Sequence, residues 1–186
     1  VLPAEALDQL HASVARLEQQ GTVLEDWRMS EHSQATRGVR MLFTGLPGTG
    51  KSLAAAALAT AMGTDLMVVD VAQLVSKWLG ETEKNLSATF EAAEGTRAVL
   101  LLDEADALFG ARTEISDAHD RYANLETAYL LQRIEQFEGL VVLTSNLRQN
   151  IDSAFTRRLD FVIDFPLPDA DARIALWKRS LPAELG

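Results

Sequence analysis

Five short apolar runs punctuate the chain, and stretches with helical periodicity lie between them. The runs are Val39-Arg40-Met41-Leu42-Phe43-Thr44, Leu66 to Val71, Ala98 to Leu102, Leu140 to Leu143, and Phe161 to Phe165. Their length and their Val, Leu and Phe content predict strands, and the uniformly apolar Ala98–Leu102 predicts one covered on both faces. Before them, Pro3 to Gln20 carries Leu7, Leu10, Val14 and Leu17 at helical spacing, with Pro3 in the first turn and Gly21 as the stop. Helices are likewise predicted for Lys51 to Met62, ending at Gly63, and for Glu81 to Ala93, with Leu86, Phe90 and Ala93 on one face. A further helix, Arg121 to Phe137, has Leu125, Tyr129, Ile134 and Phe137 as its apolar side and Gly139 as its close. A short helix from Asp152 to Thr156 and a final one from Asp169 to Arg179 complete the pattern. Thr22–Gly38 and Gly110–Asp120 are polar and aperiodic, and read as connections. Strands alternating with helices make an α/β fold with a parallel sheet covered on both faces. Ligands of such sheets bind beyond the carboxyl ends of the strands.

The chemistry-bearing residues fall at those ends. Gly45-Leu46-Pro47-Gly48-Thr49-Gly50-Lys51-Ser52 follows the first strand and opens a helix. Two glycines with four residues between them, then Lys and Ser, in a strand–loop–helix context, make a phosphate-binding loop. Its backbone N–H groups point at phosphate oxygens, the helix start adds partial positive charge, Lys51 adds a full one, and the Ser52 hydroxyl can ligate magnesium. This assigns Pro47, Gly48, Thr49, Gly50, Lys51, Ser52 and Leu53 to nucleotide binding.

Asp103-Glu104 closes the third strand. Beside a phosphate loop, Asp103 can hold magnesium and Glu104 can deprotonate the attacking water. Alone, the same acids would merely open the next helix, where they suit its dipole. Asn146, at the end of the fourth strand, is either a turn residue or a donor to the γ-phosphate or the attacking water. Arg157 and Arg158 are either a pair of surface cations or phosphoryl-stabilising arginines. Trp78, within Lys77-Trp78-Leu79-Gly80, is either an edge-of-core aromatic or an exposed gripping residue. His11, His32 and His119 show no metal-ligand spacing.

Composition narrows the function classes. The 186 residues suffice for one domain, and the absence of cysteine excludes disulfides, thiolate metal sites and thiol nucleophiles. A net charge of −10 argues against a broad nucleic-acid footprint. No apolar run approaches a membrane span and no leader pattern is seen, so a soluble, cytoplasmic protein with no membrane partner is the expectation.

Together these motifs resemble the ATPase module of AAA+ proteins, of the classical AAA type, over roughly residues 38 to 180. Gly45–Ser52 is similar to the family's Walker A motif, with Leu46 where proline is common. Leu100-Leu101-Leu102-Asp103-Glu104-Ala105-Asp106 resembles Walker B, and Thr144-Ser145-Asn146 the sensor 1 strand end. Residues Ile151 to Asp160 resemble the second region of homology, which implies that Arg157 and Arg158 reach a neighbouring subunit's site. The Pro-Gly that usually separates those arginines is absent, so the resemblance leaves open which is the finger. Lys77-Trp78-Leu79 resembles the first pore loop, with Trp78 gripping substrate, and Gly110–Arg121 the second.

The resemblance also implies strand order 5-1-4-3-2 and a hexameric ring. It implies domain limits of 1–37 for an N-terminal helix and linker, 38–168 for the nucleotide-binding subdomain, and 169–186 for the start of a helical lid that is otherwise largely missing from this chain. Phe155-Thr156-Arg157-Arg158 and Phe161–Pro166 look most like bacterial AAA proteins of phage-tail-like contractile systems. The expected function is Mg-ATP hydrolysis between ring subunits, driving the remodelling of protein complexes. An ATP-dependent assembly scaffold with little turnover is the alternative, and a DNA-directed relative is disfavoured by the acidic charge.

Overall fold

The computed structural model describes residues 3–26, 38–73, 82–109, 128–146 and 153–180. Its strands are β1 (Val39–Thr44), β2 (Leu66–Asp70), β3 (Val99–Asp103), β4 (Leu140–Ser145) and β5 (Phe161–Asp164). They form one five-stranded sheet in the order β2-β3-β4-β1-β5, with every pairing parallel. This is the expected order read from the other edge. The helices are α1 (Ala4–Asp26), α2 (Lys51–Ala61), α3 (Thr82–Thr96), α4 (Asp106–Phe109), α5 (128–136 within the described residues), α6 (Ser153–Thr156) and α7 (Ala170–Ser180).

Alternation along the three inner strands sorts the core into two layers. Met41, Phe43, Val99, Leu101, Leu140 and Val142 face α1 and α2, while Leu42, Leu100, Leu102, Val141 and Leu143 face α3 and α5. Each layer is locked by an aromatic pair: Phe43 with Phe165 at 4.9 Å, and Phe90 edge-on to Phe137 at 5.7 Å. Burying such a ring contributes about 1.5–3 kcal/mol, which makes the two layers the main source of stability.

Two expectations are corrected. Helix α1 does not stop at Gly21 but runs to Asp26. A glycine inside a helix costs only about 1 kcal/mol relative to alanine, so it does not by itself end a helix whose preceding turns are packed. The expected apolar side of α1 holds at Leu10, Val14 and Leu17, which pack on the core, but Leu7 is 42% exposed while Ala6 and Ser13 are buried. Ser13 is tolerated there because its hydroxyl donates to the Leu10 carbonyl at 2.7 Å. Elsewhere the boundaries move by a few residues. Strand β2 ends at Asp70, whose carboxylate caps a helical turn by accepting from the Gln73 N–H at 2.9 Å. Strand β4 extends to Ser145, so the strand itself carries the residues before Asn146.

One polar residue inside the sheet holds distant elements together. Arg40 is 8% exposed and donates its Nε to the Ile134 carbonyl at 3.1 Å and another guanidinium N–H to the Glu135 carbonyl. These are last-turn carbonyls of α5, which lack partners within their own helix. The Asp160 carboxylate accepts from the Arg40 backbone N–H at 2.9 Å and pairs with Arg16 of α1 at 2.8 Å. Helix α1, strand β1, helix α5 and the segment leading into β5 thus meet at Arg40 and Asp160.

Candidate nucleotide-binding site

The phosphate loop is held open by positive φ angles at its three glycines, Gly45, Gly48 and Gly50. Gly45 has φ 149°, and a Cβ there would lie 2.3 Å from the Phe165 carbonyl oxygen. Gly50, at φ 97°, is the N-cap of α2 and offers no side-chain cap. The first N–H groups of α2 therefore remain for an anionic ligand. The Lys51 ammonium donates to the Gly45 carbonyl at 2.6 Å, the Leu46 carbonyl at 3.1 Å and the Asn146 Oδ1 at 3.0 Å. Burial lowers its pKa from the usual 10.5, and the carboxylates of Asp103 and Asp106 oppose that shift.

Opposite the loop, the end of β4 pins the acidic residues that follow β3. The Thr144 hydroxyl donates to Asp103 Oδ1 and accepts from the Glu104 N–H at 3.1 Å. The Ser145 hydroxyl donates to Asp106, whose carboxylate also accepts from the Asn146 N–H at 3.2 Å. Because Asn146 Oδ1 accepts from Lys51, its amide NH2 remains a donor at the cavity. Glu104 sits at φ 55°, a left-handed conformation uncommon for a non-glycine residue.

These groups surround an open cavity of about 330 Å³ lined by Pro47, Gly48, Gly50, Lys51, Ser52, Leu53, Asp103, Glu104, Thr144 and Asn146. The fold thus brings together nearly all the residues expected on the cis side. Thr49 is not among the lining residues; its hydroxyl closes the loop onto the Leu46 carbonyl at 2.8 Å. Ser52 Oγ lies 3.5 Å from Asp103 Oδ2. Two hard oxygen donors at this spacing fit magnesium, which keeps most of its shell for phosphate oxygens and water. Among the described residues no cluster of three or more His, Asp or Glu side chains forms a metal centre of its own.

Arg157 and Arg158 do not line this cavity. Arg158 pairs with Glu135 at 2.8 Å, whereas Arg157 is exposed and, among the described residues, without a partner. Lys77, Trp78 and Leu79, and the second pore-loop region, lie outside the described residues. Sequence reasoning gave Thr144 and Asp106 no site role of their own. Only their nearness to the carboxyl ends of β4 and β3 could have signalled one.

Parallel topology, the glycine loop after β1 and the paired acids at the end of β3 define a phosphate-loop nucleoside triphosphatase module. The model of the ATPase family associated with various cellular activities (AAA) matches residues 41–167. The chain belongs to the AAA family. It is 36% identical over 152 residues to an uncharacterized AAA family ATPase, y4kL, of Sinorhizobium fredii, a match covering 81% of this chain and 46% of that protein. It is 38% identical over 149 residues to vacuolar protein sorting-associated protein 4B of Mus musculus, covering 78% of this chain and 33% of that one. It is 35% identical over 177 residues to katanin p60 ATPase-containing subunit A1 of Arabidopsis thaliana, covering 87% and 33%. The FIGL-1 AAA domain, crystallised with ADP, superposes with a TM-score of 0.63 at 26% identity, over 78% of this chain and 48% of that chain. The chain spans less than half the length of each of these relatives.

Proposed function

We propose that this chain binds ATP with magnesium in the cavity between the phosphate loop and the β3 and β4 ends, and hydrolyses it. The observation that carries this is the convergence of Lys51, Ser52, Asp103, Glu104 and Asn146 on one cavity. Lys51 and the free N–H groups of α2 hold the phosphates. Ser52 and Asp103 would hold magnesium, which when bound neutralises phosphate charge. Glu104 takes the proton of the attacking water, and the Asn146 amide orients that water or the γ-phosphate. Leu53, 74% exposed at the cavity rim, would offer an apolar surface to the nucleoside.

The site is completed by a second copy in a ring, expected to be hexameric. Arg157, exposed and unpaired within its own chain among the described residues, is the arginine best placed to reach a neighbour. Arg158 is engaged by Glu135 and serves to fix the segment. Residues 38–168 form the nucleotide-binding subdomain, preceded by helix and linker over 1–37 and followed from 169 by the start of a helical lid. The cycle remodels protein complexes in the cytoplasm, a role supported by relatives named for vacuolar protein sorting and katanin, with Lys77, Trp78 and Leu79 contacting the substrate. Among the described residues no helix is long and apolar enough to cross a membrane.

Glu104→Gln tests the chemistry. It should bind ATP with unchanged affinity and lose turnover by at least about 100-fold, the scale of a missing general base. Unchanged hydrolysis would remove Glu104 from that role.

A further inference from the structure

The residue that ties the acids of the site to β4 has no assigned role. Thr144 is 2% exposed at the end of β4. Its hydroxyl donates to Asp103 Oδ1 and accepts from the Glu104 N–H at 3.1 Å, and its carbonyl accepts from the Ala105 N–H at 2.9 Å. Three consecutive residues after the β3 core are therefore tied to one threonine.

We propose that Thr144 is a positioning residue that sets the geometry of both carboxylates of the hydrolytic site. The hydroxyl engages Asp103 Oδ1, which leaves Oδ2 as the oxygen 3.5 Å from Ser52 Oγ. Freed from that bond, the carboxylate could rotate and present either oxygen, and the two donors for magnesium would no longer be held at one spacing. The same hydroxyl receives the Glu104 N–H while that residue sits at φ 55°. A left-handed non-glycine residue is strained and persists only where its surroundings hold it. The Thr144 hydroxyl and carbonyl supply that hold, and so aim the Glu104 carboxylate into the cavity. A β-branched side chain suits the task because its χ1 is stiff in a strand. Valine at this position would keep the shape while leaving Asp103 Oδ1 and the Glu104 N–H only their long 3.3 Å bond to each other.

The proposal rests on the assignment of Ser52 and Asp103 to magnesium. Its test compares Thr144→Val with Thr144→Ser by the binding of an ATP analogue carrying a fluorescent ribose tag, with and without magnesium, and by kcat. Thr144→Val should bind the analogue without magnesium within about twofold of wild type. The magnesium concentration needed for half-maximal response should rise about tenfold and kcat fall about tenfold, as for residues that orient a metal ligand. Thr144→Ser keeps the hydroxyl and should return both values to within about threefold of wild type. A wild-type magnesium response in Thr144→Val, or a serine variant as impaired as the valine one, would overturn the proposal. If Thr144→Val does not fold, Thr144→Ser decides alone: a near-wild-type response supports the role, and a tenfold loss overturns it. Asp103→Asn separates the two levels of inference. Loss of the magnesium response there, with Thr144→Val unaffected, rejects the threonine and leaves the site standing. A wild-type protein whose analogue binding ignores magnesium would overturn both.

Discussion

Lys51 shows how one residue carries both a cost and a function. Its ammonium is buried against two loop carbonyls and the Asn146 amide, and desolvation lowers its pKa from 10.5. Between that lowered value and 10.5 the unfolded chain binds more protons, so stability rises with pH across the window. Nucleotide binding should show the opposite trend. A triphosphate beside Lys51 favours the charged form and raises the pKa, so binding takes up a proton once the free protein begins to lose it. We expect ATP affinity to be flat near neutral pH, then to fall by up to about tenfold per unit above the free-state pKa of Lys51. Titrations of ATP binding from neutral to alkaline pH would show it, and Lys51→Met should lack the alkaline slope.

At the scale of elements, the sheet is assembled by strand patterning but tied at its amino-terminal end by polar groups. Arg40 satisfies α5 carbonyls and pairs with Asp160, which also holds Arg16 of α1. Removing the guanidinium leaves the last carbonyls of α5 without their donors and takes from a mostly buried carboxylate one of its two cations, the one 3.6 Å away. Arg40→Leu should therefore lower unfolding free energy by about 3 kcal/mol in urea titration, the scale for breaking a buried pair. Arg16 is half exposed, and Arg16→Ala should cost less than about 1 kcal/mol. Equal losses for the two variants would show that the network is not centred on Arg40. The network also ends beside Arg158, through the Glu135 that follows Ile134, so it fixes the segment that presents Arg157.

For the whole molecule, the exposure of Arg157 and its absence from the cavity of its own chain are what a shared site requires. Mixing Arg157→Ala protein with Lys51→Ala protein should restore part of the ATPase activity, because interfaces pairing a wild-type phosphate loop with a wild-type arginine then reappear. Each variant alone should be at least about 100-fold slower than wild type, within the range seen when a transferred-phosphoryl arginine is supplied in trans. Flat activity in mixtures shown to co-assemble would count against the shared site. Specific activity of the wild type should rise with protein concentration for the same reason.

What the sequence determined is what is written locally. Gly45–Ser52 specifies its loop because positive φ, the helix start and the lysine all belong to one short stretch. The inner strands β3 and β4 and the acids after β3 are legible because burial on both faces demands unbroken apolar runs, and the edge strands β2 and β5 because they stay rich in Val, Leu and Phe though partly exposed. The tertiary structure decided what depends on contacts between remote residues. The Arg40 partnership with Asp160 spans 120 positions, and the Thr144 bond to Glu104 spans 40. Neither residue has a neighbour in sequence that announces it. The choice of Ser13 over Leu7 for the buried face of α1 likewise follows from how that helix lies on β1 and β5. Periodicity fixes that a helix has an apolar side, but its docking angle fixes which residues that side contains.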